Sequence, residues 1–132
     1  MKVQSLLAGG AFAVALIGLA GASNAQAAAR TGQDCFFSST WSGWKAPDDK
    51  TLLLRIGVRD VFRVDLQGET SQLHDPGARL VNVIRGSNSI CSPLDLDLKV
   101  TSDSGFSVPL IATAITRLTP DQVAAIPKRD QP

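Results

Sequence analysis

Thr51-Leu52-Leu53-Leu54-Arg55-Ile56-Gly57-Val58-Arg59-Asp60-Val61-Phe62-Arg63-Val64-Asp65-Leu66 decides the fold class. Two apolar-rich runs, 51–56 and 61–66, flank a four-residue link that begins with glycine. In the second run Phe62, Val64 and Leu66 alternate with Arg63 and Asp65. A period of two puts alternate side chains on opposite faces, which is the pattern of a half-buried strand. The two runs are expected to pair as an antiparallel hairpin.

The same reading extends downstream. Residues 67–78 are rich in turn formers and are expected as a loop. Arg79 to Arg85 is a further strand candidate, and Ile90-Cys91 begins another. Leu94, Leu96, Leu98 and Val100 alternate with Asp95, Asp97 and Lys99, which predicts a strand ending at Thr101. Phe106 to Arg117 is expected as one more strand, with Pro109 marking an edge or a bulge because proline cannot donate to a ladder. Thr119-Pro120-Asp121-Gln122 has the form of a capping box with proline at the first helical position, so a short helix follows and stops at Pro127. Upstream, Pro47-Asp48-Asp49 suits a type I turn. The expected fold is mainly β: a small antiparallel β-sheet or barrel with one short C-terminal helix.

The N-terminus has another purpose. Lys2 is followed by an uncharged run from Leu6 to Leu19 and then by Ala25-Gln26-Ala27. A positive start, a short apolar run and an A-x-A site make a secretory signal, cut between Ala27 and Ala28. The run is shorter than the ~20 residues that span a bilayer. Ala22 stands where a lipoprotein would need its acylated cysteine. The expected organisation is a cleaved signal at 1–27, a flexible segment at 28–34, one β-rich domain at 35–127 and a polar tail at 128–132. The protein is then periplasmic or secreted, without stable membrane insertion. Cleavage removes Lys2, so the 13 basic and 12 acidic side chains of the whole chain become 12 and 12. A neutral domain has no electrostatic footprint for nucleic acid.

Cys35 and Cys91 are the two cysteines. An even count in an exported chain reads as a disulfide, and the absence of C-x-x-C argues against a redox-active pair. No cofactor is expected, since phosphate loops and nucleotide fingerprints are missing. No metal is expected either. Asp95 and Asp97 share a face of the predicted strand, yet Ca²⁺ takes about six to eight oxygens and no Asp-rich loop surrounds them. The plainer reading is a solvated face beside Lys99. His74 is the single histidine, set in a turn-rich loop beside Asp75. With no G-x-S-x-G in the chain, it reads as an exposed loop residue rather than a general base. Arg63 and Asp65 read as a surface ion pair. Trp41, Trp44 and Lys45 are the candidate contact patch, because exposed tryptophan is enriched where partners bind. The opposing reading is that one or both indoles cap the core near the disulfide.

Asp34-Cys35-Phe36-Phe37, Trp44-Lys45-Ala46-Pro47-Asp48-Asp49, Arg63-Val64-Asp65-Leu66, Ile90-Cys91-Ser92-Pro93-Leu94-Asp95 and Leu118-Thr119-Pro120 together carry a resemblance. Over about Asp34 to Ile126 the chain resembles the proteobacterial domain-of-unknown-function 6491 family, which are small exported proteins. That family carries no known activity, so the resemblance implies no catalytic residues. Its members often have two further cysteines, where this chain has Thr70 and Leu110. Joint loss of those two implies that they pair with each other and that Cys35 pairs with Cys91.

The expected function is a non-enzymatic binding or interaction module whose partner is an envelope protein or a small ligand. The alternatives are a structural or stress-related envelope protein, and an enzyme of unrecognised type using His74 or scattered Asp and Arg side chains. Co-purification of a partner separates the first from the others, and loss of an activity on His74→Ala would single out the last.

Overall fold

Strand formation follows the apolar alternation where the chain is free to extend. A computed structural model describes residues 34–132. The expected signal at 1–27 with its expected Ala27–Ala28 cut, and residues 28–33 of the expected N-terminal segment, lie outside the described residues. The described residues form nine strands: β1 (Phe36–Phe37), β2 (Trp41–Asp48), β3 (Thr51–Ile56), β4 (Asp60–Leu66), β5 (Arg79–Asn82), β6 (Ser89–Ile90), β7 (Leu98–Thr101), β8 (Ser107–Leu110) and β9 (Ala112–Arg117). One α-helix, α1 (Pro120–Ala125), follows them. The strands form three antiparallel sheets, ordered β1-β6, β2-β3-β4-β9 and β5-β7-β8, and no barrel closes among the described residues.

The expected hairpin is β3–β4, in continuous register from Thr51↔Asp65 to Ile56↔Asp60. Gly57 opens its link with φ +62°, a left-handed conformation that other side chains rarely adopt. Leu52, Leu54 and Ile56 of β3 and Phe62, Val64 and Leu66 of β4 enter one core. Leu98, Val100, Leu110 and Ala112 from β7, β8 and β9 join it. Burying each Leu, Ile, Val or Phe stabilises by about 1.5–3 kcal/mol. Phe36 stacks obliquely on Phe62 at a centroid distance of 4.7 Å, which ties β1 to the hairpin.

The opposite face of the hairpin is also covered. Leu53 and Val61 are buried but stand apart from that core. Arg55, on their face, donates from Nε to Pro132 O and from Nη1 to Val58 O. Residues 128–132 of the polar tail fold back onto the sheet: a 3-10 turn at Lys128–Asp130 packs on β2, and Pro132 lies beside Gly43. The capping box forms as expected, with Thr119 Oγ1 accepting from Gln122 N and Gln122 Oε1 accepting from Thr119 N.

Three local expectations change. The predicted strand from Leu94 to Thr101 begins only at Leu98, and Pro93–Asp95 is a 3-10 turn. Pro93 cannot donate to a ladder, and the Asp95 carboxylate takes the backbone N–H groups of Cys91 and Ser92 at 2.9 and 2.8 Å. Such local bonds compete with strand pairing. Asp95 and Asp97 thus share no strand face, and Asp97 pairs instead with Arg85 at 2.7 Å. The predicted strand from Phe106 to Arg117 breaks at Ile111 into β8 and β9, which belong to different sheets. Pro109 sits on β8, an edge strand, as proline requires. Pro47 lies inside β2 rather than in a turn. The turn falls one residue later, with Asp48 Oδ1 accepting from Lys50 N at 2.8 Å. Trp41–Asp48 is a strand that its glycine and proline concealed, and its pairing with β3 carries two register shifts.

Those hydrogen bonds give Asp95 a defined acid response. The N–H groups of Cys91 and then Ser92 favour the carboxylate and hold it below the ordinary aspartate value of 3.8. A carboxyl group with a depressed folded-state pKa stabilises the fold above its unfolded pKa, and that contribution disappears as pH falls through the folded value. Asp95→Asn is therefore expected to lower the urea midpoint at neutral pH. The gap from the parent should close as pH drops below 3.8. A gap that is constant with pH would show that the charge on Asp95 is irrelevant.

Candidate functional site

The two tryptophans converge at a seam. β2 and β5 are end strands of their respective sheets. An open groove of about 440 Å³ runs between them. Trp41, Ser42, Gly43 and Trp44 form the β2 wall, and Leu80 and Asn82 of β5, with Ile84 just beyond it, form the other. Ser38, Ser39 and Asn88 close one end. Its volume lies within the range of small-molecule sites, about 300–1,000 Å³.

The ring positions follow from packing. Trp41 and Trp44 are half-buried and rest on the core, so the core-capping reading applies to both. Both also line the groove, so capping and contact are compatible. Trp41 Nε1 donates to Gly43 O at 2.8 Å, which fixes that indole. Trp44 stands opposite Leu54 in the β2–β3 register, with the core beneath it. Lys45 does not line this groove: it lines a second, mixed-charge depression with His74, Asp75, Arg129 and Asp130, which Trp44 also borders. No charged side chain lines the first groove.

The closed end of the groove is pinned covalently. Cys35 and Cys91 form a disulfide across 56 residues of sequence. Cys35 leads through β1 into Ser38, and Cys91 follows Asn88 and β6. Phe36 pairs with Ile90 and Phe37 with Ser89. Ser38 N then donates to Asn88 O at 2.8 Å. The bridge therefore holds together the two backbone segments that make this wall. Ser38 Oγ is buried there without a hydrogen-bond partner among the described residues. An unsatisfied buried hydroxyl costs about 1–3 kcal/mol.

Several other titratable residues assemble into surface pairs. His74 Nε2 lies 3.1 Å from Asp49 Oδ1 rather than against Asp75, and both side chains are about half exposed. Arg63 meets Asp65 at 2.8 Å, both side chains partly exposed on the face that also holds the buried Val61. Arg117 contacts Asp60 at 2.7 Å and Asp34 at 3.7 Å. The Asp60 hydrogen bond raises its pKa further above the ordinary arginine value. Exposed pairs of this kind are worth little. Among the described residues no group of three or more His, Cys, Asp or Glu side chains is placed to hold a metal ion. Also among them, no helix is long and apolar enough to cross a membrane.

No family model, curated protein or solved structure matches this chain. Sequence reading singled out Trp41 and Trp44 but missed Leu80, Asn82, Ile84 and Asn88. These residues are distant from the tryptophans in sequence, and only the docking of one sheet edge beside another brings them into the groove. No local periodicity signals that approach.

Proposed function

We propose that this chain is an exported, periplasmic binding module of the domain-of-unknown-function 6491 type, without catalysis of its own. Its ligand or partner sits in the groove between β2 and β5. The observation that carries this reading is the convergence of Trp41 and Trp44 on one uncharged groove whose end wall is tied by the disulfide. An aromatic wall with a few polar side chains around it suits binding: apolar area supplies affinity and the polar groups select orientation. A disulfide between Cys35 and Cys91 is compatible with export, as is the signal-like N-terminus.

Native mass spectrometry of the tagged protein recovered from its own periplasm tests the reading. The expected species is residues 28–132 less two hydrogens, together with a retained small molecule or a stoichiometric companion. Trp44→Ala should lose that companion while keeping the disulfide mass. A bare species from both proteins would favour the structural envelope role. An unprocessed mass would overturn the assignment of export by a cleaved signal.

A further inference from the structure

We infer that the ligand of the Trp41–Trp44 groove is a neutral saccharide, a conclusion that rests on the binding-module reading above. The first argument is charge. No acidic or basic side chain lines the groove, so it offers no counter-ion to a charged ligand. The second is the pairing of surface types. A pyranose has a face of C–H groups that packs on an indole, and a rim of hydroxyls that both donate and accept. Trp41 and Trp44 supply the first surface. Ser39, Asn82 and Asn88 supply the second, since hydroxyl and amide groups also both donate and accept. Asn82 commits its Oδ1 to Asp97 N at 3.1 Å, which leaves its NH₂ to donate.

The third argument removes a competing occupant. Two neighbouring sheet edges could in principle take up an extended peptide as an added strand. The β2 edge is built against that: its pairing shifts register twice, and it carries Lys45 and Pro47. Bulges, lysine and proline are the devices that blunt strand addition. The groove thus favours a compact ring over an extended backbone.

The chain contains two tryptophans and no tyrosine, so its intrinsic emission is dominated by Trp41 and Trp44, both of which line the groove. Chitotriose, cellotriose and maltotriose are titrated into the oxidised protein, with cyclohexanol and an uncharged pentapeptide of alternating Thr and Val as contrasting probes. Calorimetry accompanies the emission measurement. The expected result is a saturable response to at least one trisaccharide that is insensitive to ionic strength. Trp44→Ala should weaken it by at least about tenfold, and Trp44→Phe should restore much of the loss. Asn88→Ala should weaken the sugar but not cyclohexanol, with circular dichroism verifying that each variant is folded. If all three sugars are silent while cyclohexanol or the peptide binds, the saccharide assignment is wrong and the binding groove stands. If every probe is silent against folded protein, both fall.

Discussion

Cys35→Ser is expected to lower the stability of the domain by up to about 4 kcal/mol, the chain-entropy value for a loop of this length. The loop it opens spans 56 residues. Against a total of about 5–15 kcal/mol for a domain, that is a large fraction. Urea unfolding of the oxidised parent, the reduced parent and Cys35→Ser measures it. The last two should coincide, because both lack the bridge while only one carries serine. A further consequence is local. β1 and β6 are two-residue strands that pair only with each other, so much of their order depends on the bridge. Reduction should therefore loosen Ser38 and Asn88 before the β3–β4 hairpin, visible as faster amide exchange at the end of the groove. Equal urea midpoints with and without reductant would refute the stabilising role.

Leu54→Ala is expected to cost about 3–5 kcal/mol, the upper part of the range for a buried leucine. Leu54 is completely buried at the middle of β3, facing Phe62 in register on one side and Trp44 on the other. Both partners are held by their own strands, so the cavity cannot readily collapse. Trp44 rests on this part of the core, and its emission should shift as well. Leu94→Ala is the control. Leu94 belongs to the cleanest apolar alternation in the sequence, yet it is 94 % exposed. Its truncation should change stability by no more than about 0.5 kcal/mol. Thermal and urea unfolding of the two variants decide the matter. Similar losses for both would mean that the alternation, rather than the 3-10 turn, describes residues 94–96.

The contrast between these leucines shows where sequence reading works. At 61–66 a regular alternation has no competing local bond, and every apolar member of Phe62, Val64 and Leu66 reaches the core. At 94–100 strand pairing is lost over the first half because Pro93 and the Asp95 carboxylate satisfy the backbone locally, so Leu94 is exposed, although Leu96 still reaches the core. The capping box at Thr119 was legible since all its partners lie within four residues. β2 was not, because an edge strand can absorb Gly43, Pro47 and two register shifts that a central strand could not.

By itself, the sequence determined the β class, the β3–β4 hairpin, the helix start, the cysteine pair and the two aromatic residues worth watching. Each depends on near neighbours or, for two cysteines, on there being one possible intramolecular pairing. Tertiary structure alone decided that the sheets stop short of a barrel and that Leu80, Asn82 and Asn88 join Trp41 and Trp44. It also brought residues 128–132 back over Arg55. Those outcomes depend on which strand edges come to lie side by side. That choice is made by packing of whole sheet faces and leaves no periodic trace along the chain.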